Sequence, residues 1–311
     1  MKKIRKYAAL MIAGTVVLGA CGSDEKTEST TAATSAATTA TTAAAAATET
    51  TAGETETTAA AGDVVDCKPI KPGVLSVVTS LPGPNFWGTP NGELDPTAIS
   101  TGIEFDLATA IADKCGLKME FRNEGFDAIV AGQIPDGSYD IALSQVTITE
   151  DRAKVVDFSV GYFKADQGLL VKKGTEVGSW ADVKKMTIGV QASTTAEYYF
   201  MEDPAWKLDN DIKSFPDLTS AYEALSAGQV DGIVIDTPIN LGQASQSNGE
   251  LEVVGQFKTG EEYGAIFPKG SDRKAIFDPV IQGLIDDGTV NEFIAKYLGG
   301  DPSTVPFIEV G

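Results

Sequence analysis

From residue 74 to 298, short apolar runs bounded by glycine and proline alternate with stretches whose apolar residues recur every three or four positions. The first pattern specifies buried strands and the second amphipathic helices. The opening unit reads strand 74–79, then Gly102 to Leu107 leading into a helix that runs to about Lys114 with Leu107, Ala108 and Ile111 on one face, strand 117–121, short helix 126–132 and strand 139–144. A second unit carries strands 168–172, 187–191, 212–215, 231–235 and 251–254, interleaved with helices 195–201, 219–227 and 238–246. Strand 263–267 and two amphipathic helices, 272–287 and 290–298, follow. Such alternation predicts an α/β fold of two lobes, each a mostly parallel sheet with helices on both faces. If the last elements rejoin the first unit, the chain crosses between lobes twice, near 163–167 and 256–261. Lobe 1 is then 67–164 and 260–311, and lobe 2 is 165–259.

Open parallel sheets hold their ligands at the carboxyl ends of their strands, so facing lobes share a cleft there. In lobe 1 the run Ser144-Gln145-Val146-Thr147-Ile148-Thr149-Glu150-Asp151-Arg152 reads as a strand end opening into a helix, with Thr149 as N-cap. The helix N–H groups and the Arg152 guanidinium form a seat for a small carboxylate. The alternative is that Thr149 only caps and Arg152 pairs with Asp151, Asp157 or solvent. Phe86 and Trp87, in the loop after the first strand, face either the cleft or the core. In lobe 2, Ser193, Thr194 and Thr195 follow strand 187–191, with a capping-box pattern at Thr194-Thr195-Ala196-Glu197. Asp236 follows strand 231–235; it either opens onto the cleft or caps the helix that Pro238 begins. A cation from one lobe and an anion from the other complement a zwitterion, which points to an amino acid.

The N-terminus adds an address. A basic start, an apolar run at 8–18 too short to span a bilayer, and Leu18-Gly19-Ala20-Cys21 fit a cleaved export signal, 1–20. The last four residues resemble a bacterial lipobox, in which Cys21 becomes lipid-modified and anchors the chain on the outer membrane face. Ordinary cleavage nearby is the alternative. The Thr/Ala tract that follows lacks Leu, Ile, Val, Phe and Trp as far as residue 62. It reads as part of a disordered tether, 21–66, that spans roughly 35 Å as a coil.

Composition removes several functions. The net charge is −20, and losing the four cations before Cys21 takes it to −24. Such a surface repels nucleic acid and anionic lipid. There is no histidine, which excludes Ser-His-Asp and Cys-His catalysis and the commonest zinc ligand; no metal or cofactor is implied. The two remaining cysteines, Cys67 and Cys115, suggest one disulfide in an oxidising compartment, two separate buried thiols being the alternative.

Four segments together resemble a known family, the solute-binding proteins of polar amino-acid ABC transporters, over about residues 73 to 300. They are Gly102-Ile103-Glu104-Phe105-Asp106-Leu107-Ala108, Thr147 through Ser159, Gln191 to Thr195, and Ile233 to Pro238. The resemblance implies a type II periplasmic-binding-protein fold that closes on its solute and delivers it to a permease and ATPase. It further implies that Arg152 takes the α-carboxylate with Thr147, Thr194 and Thr195, and that Asp236 takes the α-ammonium group beside Ser144 and Gln145. Gln145 and Ser193 stand where the family usually has smaller residues. Gly83 and Gly125 stand where it often has aromatics, leaving Phe86, Trp87 and Phe126 to supply aromatic contact. A monomer is expected, on the outer face of a Gram-positive-type membrane. Two rival readings are a cyclohexadienyl-dehydratase-like enzyme on the same scaffold, which needs a general acid in the cleft, and a stand-alone amino-acid receptor.

Overall fold

The computed structural model describes residues 64–90, 97–209 and 211–311. The signal segment, Cys21 and nearly all of the Thr/Ala tract lie outside the described residues.

One hydrogen-bonded sheet of eight strands runs through the protein, in the order β2-β1-β3-β8-β4-β7-β5-β6. On one side stand β1 (Val74–Thr79), β2 (Lys118–Asn123) and β3 (Ile141–Ala142), with β1 parallel to both neighbours. On the other stand β5 (Ile188–Gln191), β6 (Ile212–Phe215) and β7 (Gly232–Asp236), likewise parallel. The first side is lobe 1 and the second lobe 2. Both β5 and β7 are buried along their whole length, which is why their sequences, Ile-Gly-Val-Gln and Gly-Ile-Val-Ile-Asp, are apolar runs rather than alternating ones.

The two lobes are joined by long strands. The segments read as crossovers are the middles of two long antiparallel strands, β4 (Val156–Lys172) and β8 (Leu251–Pro268). Each passes through both lobes. Their pairing shifts register between Phe158 and Gly161, Gly161 and Phe163, Ala165 and Gln167, and Leu169 and Leu170. Such irregularities increase local twist and bending, and here they are spread along β4 through both lobes and the junction between them.

Helices α1 (Ile103–Lys114), α2 (Phe126–Val130), α4 (Thr195–Met201), α5 (Leu218–Ser226), α6 (Thr237–Gln246), α7 (Arg273–Asp286) and α8 (Thr289–Tyr297) fall within a few residues of the predicted segments. The short α3 (Trp180–Val183), capped by Ser179, was not anticipated. Gly102 begins α1 at φ 127°, and a Cβ there would lie 2.2 Å from the Phe86 carbonyl oxygen. Only glycine fits both the backbone and the space.

One buried apolar cluster extends from α1 and β1 through Phe163, Ala165 and Tyr263 to α5 and Ile239, so the core is continuous past the joining strands. Two smaller clusters fill the remainder of each lobe. Cys67 and Cys115 are bonded, with Cα atoms 5.6 Å apart, fastening the start of the fold to the end of α1.

Candidate functional site

The carboxyl ends of β1, β3, β5 and β7 face a common crevice lined by both lobes. Lobe 1 contributes Ser144, Gln145, Thr147, Arg152 and Phe126; lobe 2 contributes Gln191, Thr194, Thr195 and Asp236. Eight of the ten expected ligand residues thus line one space.

Arg152 does not sit on a helix as expected. The segment makes a single 3-10 turn, Arg152–Lys154, before β4 begins. Thr149 does cap it, its Oγ1 accepting from Arg152 N at 3.2 Å. So short a turn has little dipole, and the seat for an anion is the guanidinium itself. The acids that might have paired with it are engaged elsewhere, Asp151 by Lys154 and Asp157 by Lys269 at 2.9 Å. Arg152 instead donates from Nη1 to the Thr147 carbonyl at 2.8 Å and from Nη2 across the cleft to the Ser193 carbonyl at 2.9 Å. Its guanidinium carbon lies 5.6 Å from the centre of the Phe126 ring. Burial lowers its pKa, while Asp236 and Glu261 pull it back up; a guanidinium stays charged throughout.

Asp236, only 4% exposed, stands at the N-cap of α6 yet makes no capping hydrogen bond. Its side chain turns into the cleft. Oδ2 accepts from the Tyr263 hydroxyl at 2.6 Å and Oδ1 from the Gln167 amide. The same Gln167 nitrogen donates to Glu261 Oε2 at 2.6 Å and lies 3.3 Å from Thr195 Oγ1. Two buried carboxylates therefore share one amide nitrogen. Burial first, and the neighbouring Glu261 second, push the Asp236 pKa from its usual 3.8 to about 8, against the opposing hydrogen bonds and Arg152. Glu261 Oε1 and Gln167 Oε1 are buried without a hydrogen-bond partner.

Phe86 and Trp87 do not reach the ligand space. They are 0% and 1% exposed, because the tight turn in which Gly83 O accepts from both their N–H groups tips them inward. The Phe86 ring packs edge-on to Phe163 and Tyr263, at 5.2 and 5.7 Å between centres. Trp87 Nε1 donates to Glu104 Oε2 at 2.8 Å. Glu104 is wholly buried and also accepts from Gln145 N at 2.7 Å, the Gln145 amide and the Tyr162 hydroxyl. Burial raises its pKa. The cluster clamps Gln145 at φ 49°, so that its amide occupies the space beside Gly83, where a Cβ would lie 3.1 Å from Gln145 Oε1. Ser193, at φ 64°, is exposed and offers the cleft edge its carbonyl rather than its side chain. Thr194 caps α4, accepting from Glu197 N at 3.2 Å, and lines the cleft as well.

Sequence reasoning missed Gln167, Glu261 and Tyr263, which lie on the middles of the long strands. The alternation of buried Phe163, Ala165 and Gln167 with outward Lys164 and Asp166 was the available signal.

Comparison with known proteins places these features in a group. The family described as bacterial extracellular solute-binding proteins, family 3, matches residues 89–300. The chain is 28% identical over 205 residues to the L-cystine-binding protein TcyJ of Escherichia coli (strain K12), covering 65% of this chain and 75% of that protein. It is 31% identical over 208 residues to the ABC transporter glutamine-binding protein GlnH of Bacillus subtilis (strain 168), covering 65% and 74%. Among solved structures, an ancestral arginine-binding protein bound to glutamine is similar at 33% identity and a TM-score of 0.64, covering 74% of this chain and 100% of that one.

Proposed function

The chain belongs to the bacterial extracellular solute-binding proteins of family 3, and on that premise we propose that it captures an amino acid between its lobes and hands it to an ABC importer. One observation carries the reading. Arg152 and Asp236 open onto one crevice from opposite lobes, and among the described residues no ion pair within 4.0 Å joins Arg152 to an acid. The guanidinium fork is the group that grips a carboxylate in two places. A buried aspartate that neither caps its helix nor pairs with a cation is the group that an ammonium neutralises.

In this mechanism the solute's carboxylate takes the Arg152 donors now spent on two carbonyls, with the hydroxyls of Thr147, Thr194 and Thr195 beside it. Its ammonium group lies against Asp236, near Ser144 and Gln145. Contacts with both lobes at once are the only ones that favour closure. The joining strands β4 and β8 serve as the hinge, dividing the chain into 67–164 with 260–311 and 165–259. The closed form is what a permease and its ATPase recognise. The protein acts as a monomer and binds without turning its ligand over.

Cys21 is lipid-modified in this reading, and the Thr/Ala tether holds the receptor above the outer face of a Gram-positive-type membrane. Mass spectrometry of the mature N-terminus decides the anchor; an unmodified Cys21 removes it. Titration calorimetry decides the receptor. An amino acid should bind, and its analogues lacking either the ammonium or the carboxylate should bind far more weakly. Equal affinity for all three would overturn the assignment.

A further inference from the structure

Charge is distributed unevenly across the cleft. Counting outward from the joining strands, lobe 1 presents β3, β1 and β2, and lobe 2 presents β7, β5 and β6. Thr147 and Arg152 follow β3, and Asp236 ends β7, so the charged groups of the crevice sit on its inner side in both lobes. The residues that follow the outer strands are uncharged. Leu81 and Pro82 come after β1 and Leu218 after β6, beside the polar Ser80, Thr194 and Thr195, while Phe126 after β2 lies against the Arg152 guanidinium and Ile239 stands in the first turn of α6, close to Asp236. Among the described residues, Arg152 and Asp236 are the charged ones that line this crevice.

The outer end is also walled. The loop after β1 crosses to lobe 2, where Asn85 Nδ2 donates to the Pro238 carbonyl at 2.9 Å. Gly242 of α6 lies so close beneath the loop that a Cβ there would be 2.7 Å from Pro84 and 2.9 Å from Asn85. The loop after β1 and helix α6 are thus in contact next to the lining residues Leu81, Pro82 and Ile239.

Resting on the amino-acid reading above, we infer that the solute's side chain is uncharged and lies toward the outer end, against Leu81, Pro82 and Leu218. Arg152 and Asp236 are both consumed by the groups on the α-carbon. A charged side chain would then be buried without a partner, a large penalty, whereas an uncharged one gains from apolar contact. The competing direction is inward. Glu197, Glu202, Glu261 and Glu262 line a wider depression beyond Arg152, and a cationic side chain would have to turn that way.

Calorimetry on the purified full chain tests this with leucine, methionine and glutamine against lysine, arginine, aspartate and glutamate. The uncharged group should bind ~100-fold or more tightly than the charged one. Preference for any charged amino acid overturns the inference and leaves the receptor reading intact, whereas failure of every α-amino acid to bind overturns the receptor reading itself. Leu218→Asp should weaken the best uncharged ligand and admit lysine; the half-buried loop variant Leu81→Asp makes the same test without touching a helix. Unchanged discrimination in a folded Leu81→Asp protein would count against the outer end as the side-chain site.

Discussion

Arg152 and Ser193 meet across the cleft, the guanidinium Nη2 of one lobe donating to the carbonyl oxygen of the other at 2.9 Å. The other guanidinium nitrogen, Nη1, donates to the Thr147 carbonyl at 2.8 Å. The arginine's donors rest on two backbone carbonyls, which offer a dipole, whereas a carboxylate offers a full charge and can accept two guanidinium N–H groups in parallel.

Arg152→Ala should lower amino-acid affinity by about 3 kcal/mol, roughly a hundredfold, because the ligand carboxylate is then buried partly unpaired. Calorimetry reads this directly. Arg152→Lys should recover only part of the loss, since an ammonium is a point charge and cannot grip in two places. Full recovery by lysine would show that charge alone matters.

Ligand binding should release a proton near neutral pH. With the Asp236 pKa at about 8, most of the empty receptor holds that proton at pH 7, and the arriving ammonium expels it. Affinity should therefore rise from pH 6 to pH 8. For the empty protein the sign runs the other way. The folded carboxyl binds its proton more tightly than the unfolded one at 3.8, so this contribution to stability is whole below about pH 4 and is lost as pH rises to about 8. Calorimetry in buffers of differing ionisation enthalpy measures the first effect, and melting temperature against pH the second. Binding with no proton exchange at pH 7 would contradict both.

Glu261→Gln should shrink that proton release. It removes the like charge that shares the Gln167 nitrogen, leaving burial to raise Asp236 alone. The same buffer series on the variant checks it, and an undiminished release would mean that Glu261 does not govern the site's protonation.

Removing the Cys67–Cys115 bond should cost stability rather than affinity. It closes a separation of 48 residues, worth about 4 kcal/mol on the chain-entropy view. The double Cys→Ser variant should melt several degrees lower and bind its ligand with unchanged affinity, since the bond lies at the foot of lobe 1 and outside the cleft.

Local pattern was enough for the alternation of strands and helices, the α/β class and the places where strands end. Period and caps are properties of ten or fifteen neighbouring residues, and strand ends are where such folds put their ligands. That Arg152, Asp236 and the threonines stand at one crevice was therefore legible from order along the chain. What tertiary structure alone decided was direction. Thr149 and Asp236 both read as caps; Thr149 caps, and Asp236 turns away because Tyr263 and Gln167, 27 and 69 residues distant, hold its oxygens. Phe86 and Trp87 read as equally fit for cleft or core, and the backbone turn at Gly83 with the buried Glu104 sent them inward. The pairing of β4 with β8, which carries Gln167 and Glu261 into the site, joins residues nearly a hundred apart; no local periodicity records which strand will lie beside which.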